Sequence, residues 1–243
     1  MSAYRASNVV SLHGDPIYHH TESTSWAPPQ GEICLQQISD HIDRHLGPVD
    51  CVFHELVSDT VHIDVHIVKP TEAYPFIRLV TSGMSDLPMS TPPDTDVPRH
   101  AELMITLPPD WKLDKESFED ERWYWPVRLI KTLARLPHKY GTWLGWGHTV
   151  PNGDPAEPYA ADVRFDGCIL LPSISVPDEF HRLRIDGDKE IAFFAIVPLY
   201  KEELALKLRA GAGTLLERFD KKKIGDMIDA RRPNAGKKLF GFL

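Results

Sequence analysis

No run in this chain of 243 residues approaches the roughly 18 consecutive apolar residues that a membrane-spanning helix needs. The first thirty residues lack a basic start, an apolar core and a small-residue cleavage site, so a secretory signal is not expected there. Cysteine is scarce. Cys34, Cys51 and Cys168 are far apart, odd in number and contain no CxxC, which argues against a disulfide framework or a cysteine-ligated zinc and fits a reducing, cytoplasmic setting. There is no internal repeat, no low-complexity linker and no GxxxxGK[ST] phosphate loop. Gly145-Trp146-Gly147 is a lone GxG without its third glycine. A basic surface is missing too: the formal net charge is −8, the wrong sign for a nucleic-acid binder.

What is present is a globular composition, 42% hydrophobic and 26% charged, enough for one large domain with a core. The charge is uneven. From Lys201 onward there are 11 Lys and Arg against 6 Asp and Glu, leaving 16 basic and 29 acidic residues before it. Lys221-Lys222-Lys223 and Arg231-Arg232 therefore read as solvated helix and tail charges on an otherwise acidic body.

Residues 1–30 show no periodicity and are expected to form a loose arm. An amphipathic helix is predicted over Glu32–Leu46, with Leu35, Ile38, Ile42 and Leu46 on one face and Gly47-Pro48 as its stop. Strands follow at Val49–Leu56, Thr60–Val68, Phe76–Thr81 and Ala101–Leu107, the last with one drier face. A helix capped near Ser117 and Asp120 ends at Pro137, and Gly141–Tyr159 reads as a long loop. Strands at Arg164–Leu171 and Glu190–Val197 follow. A helix from Pro198 is then broken at Gly211 and Gly213, with shorter helices at Thr214–Phe219 and Lys223–Asp229. Segregated strands and helices predict an α+β fold: a mixed, largely antiparallel sheet with helices packed on it, in a single domain over 31–232, with a tail at 233–243.

The stretch Phe53–Asp86 organises the chain. His54, Glu55, Asp59, His62, Asp64 and His66 crowd together as if for chemistry. Ile63, Val65 and Ile67 alternate with His62, Asp64 and His66, however, so the polar residues share one strand face. That face is open to three readings: a metal site, a binding surface or a wet surface. Two imidazoles and a carboxylate suit zinc or iron, and a metal-dependent hydrolase is one alternative. Against it, His62 and His66 lie about 13 Å apart at strand rise, too far to share an ion without a sharp bulge. Gly83-Met84-Ser85-Asp86-Leu87 follows a strand but lacks the final glycine of a nucleophile elbow. The Trp123, Tyr124, Trp125, Trp143 and Trp146 group reads as core packing or as interface anchors.

The phrases HELVSD, HIDVH, LVTSGMSD and ELMITLP, followed by WPVRLIKTLARLPH and FFAIVPLYKEEL, resemble the Suppressor of fused family in the same order, over roughly Glu32–Arg232. The resemblance implies an α+β domain that binds proteins and performs no catalysis, with no cofactor. Animal members restrain a transcription factor through a short extended peptide and carry a second domain for which this chain has no room. The similarity is to the stand-alone bacterial form, for which a role as an immunity protein neutralising polymorphic toxins is implied. An adaptor for an ordinary cellular protein is the other reading. The expected partner surface is His62, Asp64 and His66, the turn residues Ser82, Met84 and Asp86, and Trp143 and Trp146, with exposed strand edges adding β-augmentation.

Overall fold

The computed structural model describes residues 9–20, 34–54, 61–93, 95–187 and 189–237. In chain order the elements are α1 (Leu35–His45), β1 (Val49–Phe53), β2 (Asp64–Val68), β3 (Ile77–Ser82), β4 (His100–Leu107), α2 (Glu121–Tyr140), β5 (Thr149–Pro151), β6 (Phe165–Leu171), β7 (Arg182–Arg184), β8 (Glu190–Tyr200) and α3 (Lys201–Lys222). The strands build one sheet in the order β1-β2-β3-β4-β8-β6-β5, with β7 paired to β8. The β4–β8 pair is parallel and the others antiparallel. The mixed, largely antiparallel α+β sheet is therefore as expected.

Helices cover both faces of the sheet. On one, Val65, Ile67, Leu79, Leu103 and Ile105 pack with Trp125, Ile130, Leu133 and Ala134 of α2. On the other, Val68, Val80, Met104, Phe193 and Ala195 pack with Ile38, Ile42 and Leu46 around α1. Farther along the sheet, Ile169, Val197 and Leu199 meet Leu206, Leu215 and Phe219 of α3. The strict alternation read in β2 and β4 thus does not separate core from solvent. Both sides of these strands are roofed, as central strands of a three-layer packing require.

Several local expectations are corrected. Pro137 does not end α2, which continues to Tyr140 and stops at Gly141 in the left-handed region, φ 57°. Pro126 and Pro137 are buried inside the helix, where packing outweighs the loss of one backbone donor at each. The cap is Asp120, whose carboxylate accepts from the Arg122 amide; Ser117 sits in a preceding 3-10 turn. Pro198 lies within β8, opposite Cys168. α3 runs on through Gly213, with only Gly211 non-helical (φ 81°). Residues 223–229 are irregular rather than helical, and Met227 forms a parallel bridge to Thr106. The Gly141–Tyr159 loop contains the edge strand β5.

The ends of the domain are also tighter than predicted. Residues 9–20, expected in a loose arm, fold into a small hairpin in which Val10 pairs with Pro16. It docks on α3: the His13 amide donates to the Leu208 carbonyl and Asp15 pairs with Lys207 at 3.1 Å. The His13 ring lies 2.4 Å from where a Gly211 Cβ would stand, so this contact requires glycine. At the other end Arg232 is ion-paired with the fully buried Glu203, Nη2 to Oε2 at 2.6 Å, inside a cage of Phe165, Tyr200 and Phe219. The Ala235 amide also donates to Glu203, so packed structure extends past 232 into the expected tail. Breaking a buried pair by removing one partner strands the other charge. Arg232→Ala is expected to cost about 3–5 kcal/mol in urea unfolding, against less than about 0.5 for the exposed neighbour Arg231→Ala. Equal effects would show that the pair does not anchor this end.

Candidate functional site

The end of β3 and the turn after it carry three of the predicted site residues, Ser82, Met84 and Asp86. Gly83 sits at φ 105°, and a Cβ on it would meet the His62 carbonyl at 1.9 Å. Only glycine lets the chain reverse this close to the strand before it. A single 3-10 turn follows, Met84–Asp86. Its organising partner is Glu102 of β4, which has no exposed surface. The carboxylate accepts from the Thr81 hydroxyl (2.6 Å), the Ser85 hydroxyl (2.6 Å) and the Ser85 amide (2.9 Å). The Thr81 oxygen in turn accepts from the Leu103 amide at 2.8 Å, replacing a backbone acceptor in the ladder.

Two histidines close the turn from outside it. His138 of α2 donates from Nε2 to the Met84 carbonyl at 2.8 Å, and His100 from Nδ1 to the Ser85 carbonyl at 2.9 Å. The Asp86 carboxylate takes a backbone hydrogen bond from Cys34, at the start of α1. One turn thereby joins β3, β4, α1 and α2. Burial pushes the Glu102 carboxyl up to about 7 against the pull of its three donors. Burial also pulls His41, His66, His100 and His138 below their usual value, and His148 down to about 4, where Lys207 assists.

The structure divides the expected surface sharply. His66, Ser82 and Met84 are buried. His66 Nε2 and the Ser82 hydroxyl share a 2.9 Å hydrogen bond on the sheet face beneath α1, so these three cannot meet a partner as folded. Asp64 is half-buried and accepts from His54 at 2.9 Å, while Asp86 is half-buried at the start of α1. His62 is exposed. Trp143 is half-buried, its ring centroid 4.1 Å from that of His148, and Trp146 stands 56% exposed. Glu55 and Asp59 lie outside the described residues.

Among the described residues no three His, Cys, Asp or Glu side chains converge to hold a metal ion. Ser85 faces a carboxylate in the core rather than an open cleft. The polar residues of the signature thus define an architectural centre. Glu102, His100 and His138 were missed as its partners. The one visible hint was an acid amid the apolar residues of Ala101–Leu107.

An exposed surface forms elsewhere. Seven large apolar side chains are exposed among the described residues, and Val9, Val10, Leu12, Leu208 and Trp146 are five of them. The first three ride the N-terminal hairpin, which docks at Leu208 and Gly211. Trp146 precedes Gly147, where a Cβ would lie 3.7 Å from that of Ala212 on α3, and then β5, at one edge of the sheet. Gly147, His148 and Asn152 bond toward β6, so alternation turns Thr149 and Pro151 outward along that edge. Asp154 and Glu157 stand exposed just beyond.

This is an α+β domain with a helix-covered open sheet and a polar turn sealed into its core. The Suppressor of fused protein family model matches residues 59–233, and the chain belongs to that family. Among solved structures it is similar to a Suppressor of fused homolog from Neisseria gonorrhoeae FA 1090, with a TM-score of 0.62 at 16% identity over 84% of this chain and 97% of that one. It is also similar to a chain of the Sufu–Fu complex, TM-score 0.59 at 15% identity over 86% and 93% of the two chains. Drosophila Suppressor of Fused matches with a TM-score of 0.56 at 13% identity, over 86% of this chain and 52% of that one. The chain thus spans about half of the Drosophila protein. No curated protein sequence matches it. No helix of the described residues is long and apolar enough to cross a membrane.

The sealed turn sets a pH dependence. Glu102 is protonated more readily folded than unfolded, so the stability it contributes is full below about 4.5 and is lost as pH rises through about 7. The buried histidines act oppositely: their contribution is present above the unfolded value of 6.5 and falls away in acid. Glu102→Gln keeps an oxygen for Ser85 and offers an N–H to Thr81. It should fold, and its stability should fall more steeply than wild type between pH 7 and 4.5. Parallel unfolding curves for the two proteins across that range would contradict the assignment.

Proposed function

We propose that this chain is a cytoplasmic, non-enzymatic protein-binding module that neutralises a toxin by direct capture, as an immunity protein. The carrying observation is that Trp146 stands exposed immediately before the β5 edge, while Val9, Val10, Leu12 and Leu208 are exposed where the hairpin meets α3. Contiguous exposed apolar surface on a folded domain marks an interaction site, and a tryptophan is a favoured anchor. Membership of the Suppressor of fused family supports the reading, as does similarity to a chain of the Sufu–Fu complex, in which the partner is a protein.

The mechanism is recognition by shape, edge pairing and charge. A partner segment laid in extended form along β5 would use the outward groups of Thr149 and Pro151, with Trp146 filling a pocket on the partner. Asp154 and Glu157, at the rim of a body carrying 29 acidic against 16 basic residues before Lys201, favour a basic partner and speed its approach.

Affinity purification of the full chain from its own host, with identification of what is retained, tests this. The immunity reading expects a toxin domain encoded beside it, bound and inhibited. A neighbouring toxin that is neither bound nor inhibited rules out that pair, and retention of an ordinary cellular protein instead makes the chain an adaptor. Trp146→Ala is expected to weaken the captured complex at least tenfold by titration, with the unfolding midpoint unchanged. An unaltered affinity would remove this surface from the proposal.

A further inference from the structure

The central parallel pair of the sheet is split. β4 and β8 run in register from His100 with Ile191 to Met104 with Ala195. Beyond that point β8 continues along β6 while β4 continues along β3, and their facing edges part. The chain closes the gap with residues 224–235. Met227 bridges to Thr106, the Ile228 amide donates to the Thr106 carbonyl at 2.9 Å, and Arg232 donates to the Pro198 carbonyl at 2.8 Å.

The middle of this strap is recognised by side chains. The Asp226 carboxylate accepts from the hydroxyls of Ser173 and Ser175, the latter at 2.9 Å. Behind them Arg78, 1% exposed, binds the Ser175 hydroxyl and carbonyl. Arg78 Nε is buried without a hydrogen-bond partner among the described residues. Ile174, 77% exposed between the two serines, lies 3.8 Å from where a Gly225 Cβ would be, an apolar shelf at the mouth.

We propose that this split is a peptide-accepting cleft which the chain keeps closed with its own 225–228 stretch, and that an extended partner segment with an aspartate followed by two apolar residues takes the same place. Both ends of the strap are anchored independently of its middle, by the Ile224 amide to the Phe219 carbonyl and by Arg232 to Glu203. Opening the middle breaks the Asp226, Met227 and Ile228 contacts and leaves those two ends in place. A tethered strap competes at an effective concentration on the order of millimolar, so a free peptide binds the intact protein weakly. A natural partner gains the difference through contacts such as Ile174. The inference uses none of the β5-edge residues and stands or falls separately from that surface.

The test uses the full chain and a fluorescent peptide spanning residues 223–230, followed by anisotropy. The peptide should bind Asp226→Ala at least tenfold more tightly than wild type, and replacing the peptide's own aspartate with alanine should abolish the gain. Equal binding to both proteins, or none to the folded variant, overturns the proposal. If Asp226→Ala does not fold, Asp226→Asn is read by the same two outcomes. Hydrogen exchange on wild type supplies a second reading. Amides of 225–229 should open at least tenfold faster than those of β8, and exchange only through global unfolding would also overturn it.

Discussion

A buried carboxylate holds this domain together. Glu102 accepts three hydrogen bonds from one short turn and its preceding strand, and that turn binds in addition to α2 through His138 and to α1 through Asp86. Removing the acid would leave two hydroxyls and an amide without acceptors in the dry centre of the fold, the costly half of the hydrogen-bond balance. Buried networks of this kind specify one arrangement because a partial version is worse than none.

Such a centre also explains why an apparently catalytic sequence is not arranged as a catalytic site. Serine, glutamate and histidine are all present around Ser85, yet each is spent on the turn. The histidines donate to carbonyls, and the serine hydroxyl is satisfied by the acid. The β5 edge, Trp146 and the hairpin on α3 lie outside this network.

Much of the fold was legible because local period and punctuation are strong signals. The stripe of Ile38, Ile42 and Leu46 with Gly47 behind it marks α1, and the apolar run through Phe193 and Phe194 marks a central strand. What alternation could not tell was that α1 would roof the other side of β2 and place His66 in the core. Burial on a second face depends on a helix whose position in space no local pattern carries. The same limit hid Glu102 as the partner of Ser85 and Thr81, Asp226 as the partner of Ser173, and Arg232 as that of Glu203. Those pairs are 17, 21, 53 and 29 residues apart. Pro137 misled for a related reason, since packing on both sides tolerates the missing donor. The site was legible only in part: Trp146 proved exposed, whereas His66, Ser82 and Met84 did not.

The contact between His13 and Gly211 has a temporal meaning. It joins positions 13 and 211 through a ring that occupies the space a side chain at 211 would take. During synthesis the hairpin emerges before its seat on α3. Until α3 is made, His13 and Asp15 have no seat. The contact therefore forms only in molecules whose synthesis has passed that helix.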